Sequence, residues 1–321
     1  MDVSNLAHSL RTGNRRALAK AVTLIESQRP EDRARADALL EEVLPYTGKG
    51  KRVGISGPPG AGKSTLIEAL GPRLLEGGQK LAILAIDPIS PISGGSILGD
   101  KTRMERLARL PNVFIRPSPG DQGGLAARSR ETLLLCEAAG FDWIIVETIG
   151  IGQSEIAVAG MTDAFIALTP PGAGDELQGM KRGIMEFADL LVVTKADGIL
   201  ADPADLLWSH CQQALRMVRR RRSEWQPRAI LTSAVSGRGL AELVANLDAF
   251  FAQNGAAIAA ERRRQNLAWF EAEIKEELRR AFWTVPKVRR ALREIEPLIE
   301  RMRRSPGKAA RELVRHFIRA T

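Results

Sequence analysis

Seven short apolar runs recur between residues 51 and 255, each separated from the next by a longer stretch with helical spacing. They are Val53–Ser56, Leu81–Ile86, Val113–Ile115, Trp143–Val146, Ala164–Leu168, Leu190–Val193 and Ala229–Leu231. Several are apolar at every position instead of every second one. A strand with one solvated face alternates, so these runs describe strands covered on both faces. Parallel strands need a crossover between them, most often a helix, and the spacing supplies one each time. The expected fold is α/β, a mostly parallel sheet with helices on both faces. A chain of 321 residues, 44% of them hydrophobic, holds enough apolar material for a large core.

The first run leads into Gly57-Pro58-Pro59-Gly60-Ala61-Gly62-Lys63-Ser64, followed by Thr65. A strand before it and a helix after it, with Leu66, Ala69 and Leu70 on one face, are the context in which this spacing cradles phosphate. Glycines let backbone N–H groups converge on phosphate oxygens, and the helix start adds the positive end of its dipole. Lys63 can reach the β- and γ-phosphates, and the Ser64 hydroxyl can ligate Mg²⁺. An ordinary Gly/Pro turn is the competing reading, and the full pattern in this context argues against it.

Other segments fall at the carboxyl ends of predicted strands, where open α/β sheets bind ligands. Thr194-Lys195-Ala196-Asp197 comes directly after Leu190–Val193. A carboxylate at Asp197 can accept from the N1–H and the exocyclic amine of guanine. Adenine offers no such donor pair, so the wrong base leaves buried polar groups unpaired. Lys195 would lie along the base plane. A helix-capping role for Asp197 is the alternative. After the last strand, Ser233, Ala234 and Val235 bring backbone amides that can meet the guanine carbonyl. Glu147 ends the Trp143–Val146 run at the position that steadies Mg²⁺. Beyond it, Gly150 and Gly152 allow an amide to approach the γ-phosphate, and Gln153 can orient a water or simply be an exposed loop residue. Asp87 and Asp100 flank a Ser/Gly/Pro-rich segment and are candidate metal-side carboxylates, against a plain Asp-Pro turn and a helix cap. The catalytic candidates are therefore Lys63, Asp87, Asp100, Glu147 and Gln153; the metal candidates are Ser64, Asp87, Asp100 and Glu147. The loop from Pro170 to Gly183 carries Gly172, Asp175, Glu176, Gln178, Lys181 and Arg182. It suits contact with a partner, or is an ordinary strand-to-helix connection.

The expected organisation is an N-terminal helical extension at 1–48, a nucleotide-binding domain at 49–254 and a C-terminal helical arm at 255–321. In the arm, Leu267, Phe270, Ile274, Leu278 and Phe282 recur every three or four residues, a stripe for packing on the sheet or for a dimer seam. Ser305 and Pro306 open the last helix. The net charge of +9 is concentrated here, with 17 Lys and Arg against nine Asp and Glu from Ala256 to Thr321. Aromatic residues do not interleave with these arginines as base-stacking platforms would, so nucleic acid is not the expected partner. No apolar run approaches the ~18 residues of a membrane span, and the N-terminus lacks the layout of a secretory signal. Cys136 and Cys211 lack metal-ligand spacing and read as buried free thiols in a reducing cytoplasm. Three scattered histidines count against metal delivery, and none sits in the Asp-x-His-x-x-Gly arrangement that ligates cobalamin. Seven scattered methionines count against a signal-binding region.

Together these residues resemble the MeaB-type G-protein chaperones of adenosylcobalamin-dependent acyl-CoA mutases, a family that includes ArgK- and MMAA-like P-loop GTPases. The resemblance spans nearly the whole chain: Gly13–Lys20, Ser93–Met104, Glu147–Glu155 and Pro170–Gly183, besides the phosphate loop. It implies a GTPase with Mg²⁺ and GTP or GDP as ligands, slow on its own and accelerated by the mutase, which itself carries the adenosylcobalamin. It implies that nucleotide state gates cofactor delivery and protects or rescues the mutase, with Pro170–Gly183 as an added switch loop. It also implies a dimer through the C-terminal helices. Thr194 stands where most GTPases place an Asn that braces the phosphate loop, and a hydroxyl can replace only part of that bracing.

Overall fold

In the computed structural model every apolar run is a strand: β1 Lys51–Ser56, β2 Leu81–Pro88, β3 Val113–Gly120, β4 Trp143–Thr148, β5 Ala164–Thr169, β6 Leu190–Val193 and β7 Arg228–Leu231. The structure describes residues 2–27, 29–88, 104–120, 125–148, 154–172, 186–217 and 222–318. The strands form one sheet in the order β3-β2-β4-β1-β5-β6-β7, and every pairing is parallel. All residues of β4, β5 and β6 are buried, which explains runs without alternation. Side chains nevertheless alternate between two cores. Val53, Ile55, Ile83, Ile145, Ile166 and Val192 enter one, while Leu84, Ile144, Val146, Phe165, Leu191 and Val193 enter the other.

The first core is closed by α4 (Lys63–Leu74) through Leu66, Ile67 and Leu70 and, beyond it, by Leu243, Leu247 and Phe250 of a helix at Leu240–Gln253. The second is closed by helices that include three at the N-terminus: α1 Val3–Arg11, α2 Arg15–Glu26 and α3 Pro30–Val43. Leu10, Leu18, Ile25 and Leu39 are at most 1% exposed there, each contributing about 1.5–3 kcal/mol by leaving water. The Asn14 side chain accepts from the Arg16 and Ala17 amides and caps α2. Pro30 starts α3 at a position where its missing N–H costs nothing. The remaining helices are α5 Glu105–Ala108, α6 Leu125–Ala138, α7 Ser154–Ala159, α8 Ala201–Met217, α9 (the Leu240–Gln253 helix), α10 Gly255–Thr284, α11 Pro286–Glu300 and α12 Pro306–Ile318.

Strand connections diverge about β1, with β4, β2 and β3 on one side and β5, β6 and β7 on the other. That reversal opens a crevice at the carboxyl ends of the central strands. The amino ends are closed by a charged cluster. Arg52 makes paired bonds of 2.9 and 2.7 Å to Glu137. Arg262 donates to both oxygens of Asp163, at 2.7 and 2.5 Å, and to the Gly48 and Gly50 carbonyls at 2.6 Å each. The Arg262 pKa is raised: burial opposes the charge, but the hydrogen bonds and fields of Asp163 and Glu137 outweigh it.

Residues 1–262 make one compact unit and 263–321 a second, the boundary falling within α10. In the second, α11 and α12 meet through Val288, Ile295, Ala309 and Leu313, flanked by Phe282 and Phe317 with ring centroids 5.5 Å apart. The apolar stripe on α10 is not covered: Leu267, Phe270, Ile274 and Leu278 are 64, 63, 42 and 55% exposed. No described helix is long and apolar enough to cross a membrane.

Candidate functional site

The loop between β1 and α4 turns on two glycines in the left-handed region, Gly60 at φ +77° and Gly62 at φ +86°. Gly62 directly precedes the first turn of α4, and only a residue without a Cβ adopts that conformation cheaply. Gly57 is fixed by packing, since a Cβ there would lie 2.7 Å from the Leu168 carbonyl oxygen of β5. The loop is therefore pressed against the sheet with the start of α4 beneath it, an arrangement that favours anions. Lys63 is buried, and its ammonium donates to the Gly57 and Pro58 carbonyls at 2.7 and 3.1 Å.

Neighbouring strands converge on this loop. Glu147 pairs in register with Ile55 of β1 and Ala85 of β2. Its Oε1 accepts from the Ser64 hydroxyl at 2.9 Å, so two expected metal ligands from different elements already share one spot. Oxygen donors few in number suit a Mg²⁺ that keeps waters and takes substrate phosphate oxygens. One residue on, Thr148 donates to Ser56 across β4 and β1 at 2.8 Å, a buried hydroxyl pair that fixes the strand ends. Asp87 lies in β2, its backbone level with Pro119 and one step beyond Ile86, the partner of Thr148. The Asp87 side chain, Asp100 and Gln153 lie outside the described residues, as do Asp175, Glu176, Gln178, Lys181 and Arg182. Gly172 begins that last loop at φ +89°.

A cleft of 310 Å³ runs beside the loop, lined by Ala61, Gly62, Thr65 and Leu66 on one side and by Thr194, Lys195, Asp197, Leu200, Thr232, Ala234 and Val235 on the other. Phosphate-loop and base-side candidates thus meet in one cavity. Thr194 joins the two directly, its hydroxyl donating to the Ala61 carbonyl at 2.7 Å in a buried bond. Lys195 holds a left-handed backbone at φ +57°, uncommon for a side chain of that kind and found where a loop must be aimed. Asp197 precedes a short 3₁₀ turn, Gly198–Leu200, but its side chain makes no capping bond. Its carboxylate stays available to the cleft, which answers the capping alternative. Ser233 does not line the cleft; buried behind it, its Oγ accepts from the Ser236 amide at 3.1 Å and its backbone N–H donates to the Arg238 carbonyl at 3.0 Å. The turn closes on Gly239 at φ +70°, where a Cβ would stand 1.9 Å from the Leu231 carbonyl oxygen. Thr232 opens the segment after the last strand that sequence reasoning pointed to, and it lines the cleft; Leu200 is a cleft residue that sequence reasoning passed over, with only a weak signal, an apolar residue one turn past Asp197.

A seven-stranded parallel sheet with a GPPGAGKS loop at the carboxyl end of its central strand defines a P-loop nucleotide-binding protein. Residues 18–287 match the sequence model described as methylmalonyl Co-A mutase-associated GTPase MeaB, and the chain belongs to that family. A protein of Mycobacterium tuberculosis named as a probable GTPase is 46% identical over 316 residues, which cover 97% of this chain and 94% of that one. The mouse protein named methylmalonic aciduria type A homolog, mitochondrial, is 45% identical over 329 residues, covering 98% of this chain and 79% of its own. The crystal structure of an LAO/AO transport system kinase is similar with a TM-score of 0.77 at 36% identity, covering 99% of this chain and 97% of that one.

Proposed function

We propose that the chain binds GTP with Mg²⁺, hydrolyses it slowly, and uses its nucleotide state to gate cofactor loading, protection or reactivation of an adenosylcobalamin-dependent acyl-CoA mutase. The observation that carries the nucleotide part is the single cleft holding Gly62 and Thr65 together with Lys195, Asp197, Ala234 and Val235. The family description, which names methylmalonyl-CoA mutase, supports the client class.

On this reading the loop amides of residues 57–65 and the Lys63 ammonium hold the phosphates. Lys63 exchanges the Gly57 and Pro58 carbonyls for phosphate oxygens, so its ammonium is already held at the loop. Ser64 and Glu147 would hold Mg²⁺, with Asp87 and Asp100 in its surroundings, and the ion would neutralise charge on the β- and γ-phosphate oxygens. Gln153 is assigned to the attacking water, Asp197 and Lys195 to guanine, and the segment Gly172–Arg182 to the mutase. We assign the exposed α10 stripe to a homodimer contact and the chain to the cytoplasm, where buried Cys136 and Cys211 stay reduced.

The deciding experiment measures GTP hydrolysis with a panel of purified acyl-CoA mutases, each with and without cobalamin. One member is expected to accelerate turnover. Acceleration by none would remove the chaperone role and leave a GTPase with another client.

A further inference from the structure

A second cleft, of 390 Å³, lies at the opposite end of the sheet, lined by residues that include His8, Arg11, Tyr46, Lys49, Phe141 and Asp142. Lys49 stands just before β1 and Asp142 just before β4, so this cleft opens at the amino ends of strands whose carboxyl ends face the phosphate loop. Its volume is within the range of small-molecule sites. The Arg11 guanidinium carbon sits over the Tyr46 ring, 3.3 Å from the centroid, which holds the planar fork of N–H donors in place at little further entropic cost.

Charge around the cleft is unbalanced. Among the described residues, His8, Arg11, Lys49 and Lys80 make no ion pair. The Lys80 ammonium comes within 3.9 Å of where Gly140, another lining residue, would carry a Cβ. Two carboxylates oppose them. Glu137 is already matched by Arg52 and Arg262 and by the Gly48 amide at 2.9 Å. Asp142 uses one oxygen to accept from the Lys80 backbone N–H at 2.8 Å. A concave, aromatic-walled site with converging unpaired cations is complementary to a compact polyanion.

We propose that this cleft is a second anion site, separate from the GTP cleft, that takes a phosphoanion, free or carried on a nucleotide. Arg11 and Lys49 are the contacting groups and Tyr46 holds Arg11 in place. The proposal stands whether or not a mutase is the client.

The test is calorimetric titration of full-length protein saturated with GDP, so that the first cleft is filled. Pyrophosphate and ADP are the two probes; ADP is a poor match for the Asp197 side of the first cleft. Saturable heat is expected from at least one. ADP tighter than pyrophosphate identifies a nucleotide as the natural source, and equal affinity identifies the inorganic anion. Arg11→Ala and Lys49→Ala should each weaken binding about tenfold, the factor a charge-assisted contact carries, with GDP affinity unchanged. Lys49 is exposed, so Lys49→Glu keeps the fold and should abolish the signal. Absence of saturable heat from both probes, or undiminished heat in Lys49→Glu, overturns the proposal.

Discussion

Thr194 is the residue that joins the two halves of the proposed GTP cleft. Its hydroxyl spans 133 positions of sequence to reach the Ala61 carbonyl, which ties the loop that follows β6 to the phosphate loop. Thr194→Val keeps the shape and removes the donor, leaving a buried carbonyl unmatched at about 1–3 kcal/mol. GDP and GTP titrations should show affinity reduced by roughly tenfold or more, and unchanged affinity would mean that the bond does not tension the loop. The Asp197 carboxylate is proposed to read the donor edge of guanine. Asp197→Asn should therefore weaken GTP and admit xanthosine triphosphate, whose C2 carbonyl can accept from the new amide. A variant that still prefers GTP over XTP as strongly as the parent would end the base-pocket assignment.

At the scale of elements, helix ends and helix faces carry the testable content. Asn14 satisfies two amides at the start of α2, and Asn14→Ala should cost about 1 kcal/mol in urea unfolding. The α10 stripe is the other case. Four large apolar side chains at helical spacing, each more than 40% exposed, form the kind of face that seeks a partner helix. Leu267→Glu with Phe270→Glu should convert a dimer to a monomer in light scattering while leaving GDP binding intact. A mass independent of these substitutions would remove the seam. The strands were readable because a strand buried on both faces must be apolar throughout. The N-terminal helical extension was readable by period as well: in α1, Val3, Leu6, Ala7 and Leu10 fall at i, i+3, i+4 and i+7, the spacing of one helix face.

Across the whole molecule, the phosphate end of the sheet is built from backbone and the opposite end from charge. Arg262 brings four hydrogen bonds to Asp163, Gly48 and Gly50, tying the start of α10 to the strand entrances of the first unit. Arg262→Ala leaves the buried Asp163 carboxylate short of its main counter-charge and should destabilise that unit by about 3–5 kcal/mol in denaturant unfolding. A loss below 1 kcal/mol, which is what an exposed pair contributes, would show the cluster to be solvated. Nothing in the sequence advertised it: Arg52, Glu137, Asp163 and Arg262 lie in four separate segments and each reads alone as a surface charge.

The phosphate loop, its strand and its helix were settled by local sequence, because φ-permissive glycines, a lysine and a hydroxyl act within nine consecutive residues. The parallel α/β class was likewise settled, because burial on both faces leaves a one-dimensional trace. Tertiary structure alone decided which carboxylate meets Ser64, how Thr194 reaches Ala61, and that a second cleft gathers His8, Arg11 and Lys49. Apart from His8 and Arg11, which share one turn of α1, those groupings join residues tens to more than a hundred positions apart. Packing free energy brings them together without leaving any periodic mark on the chain.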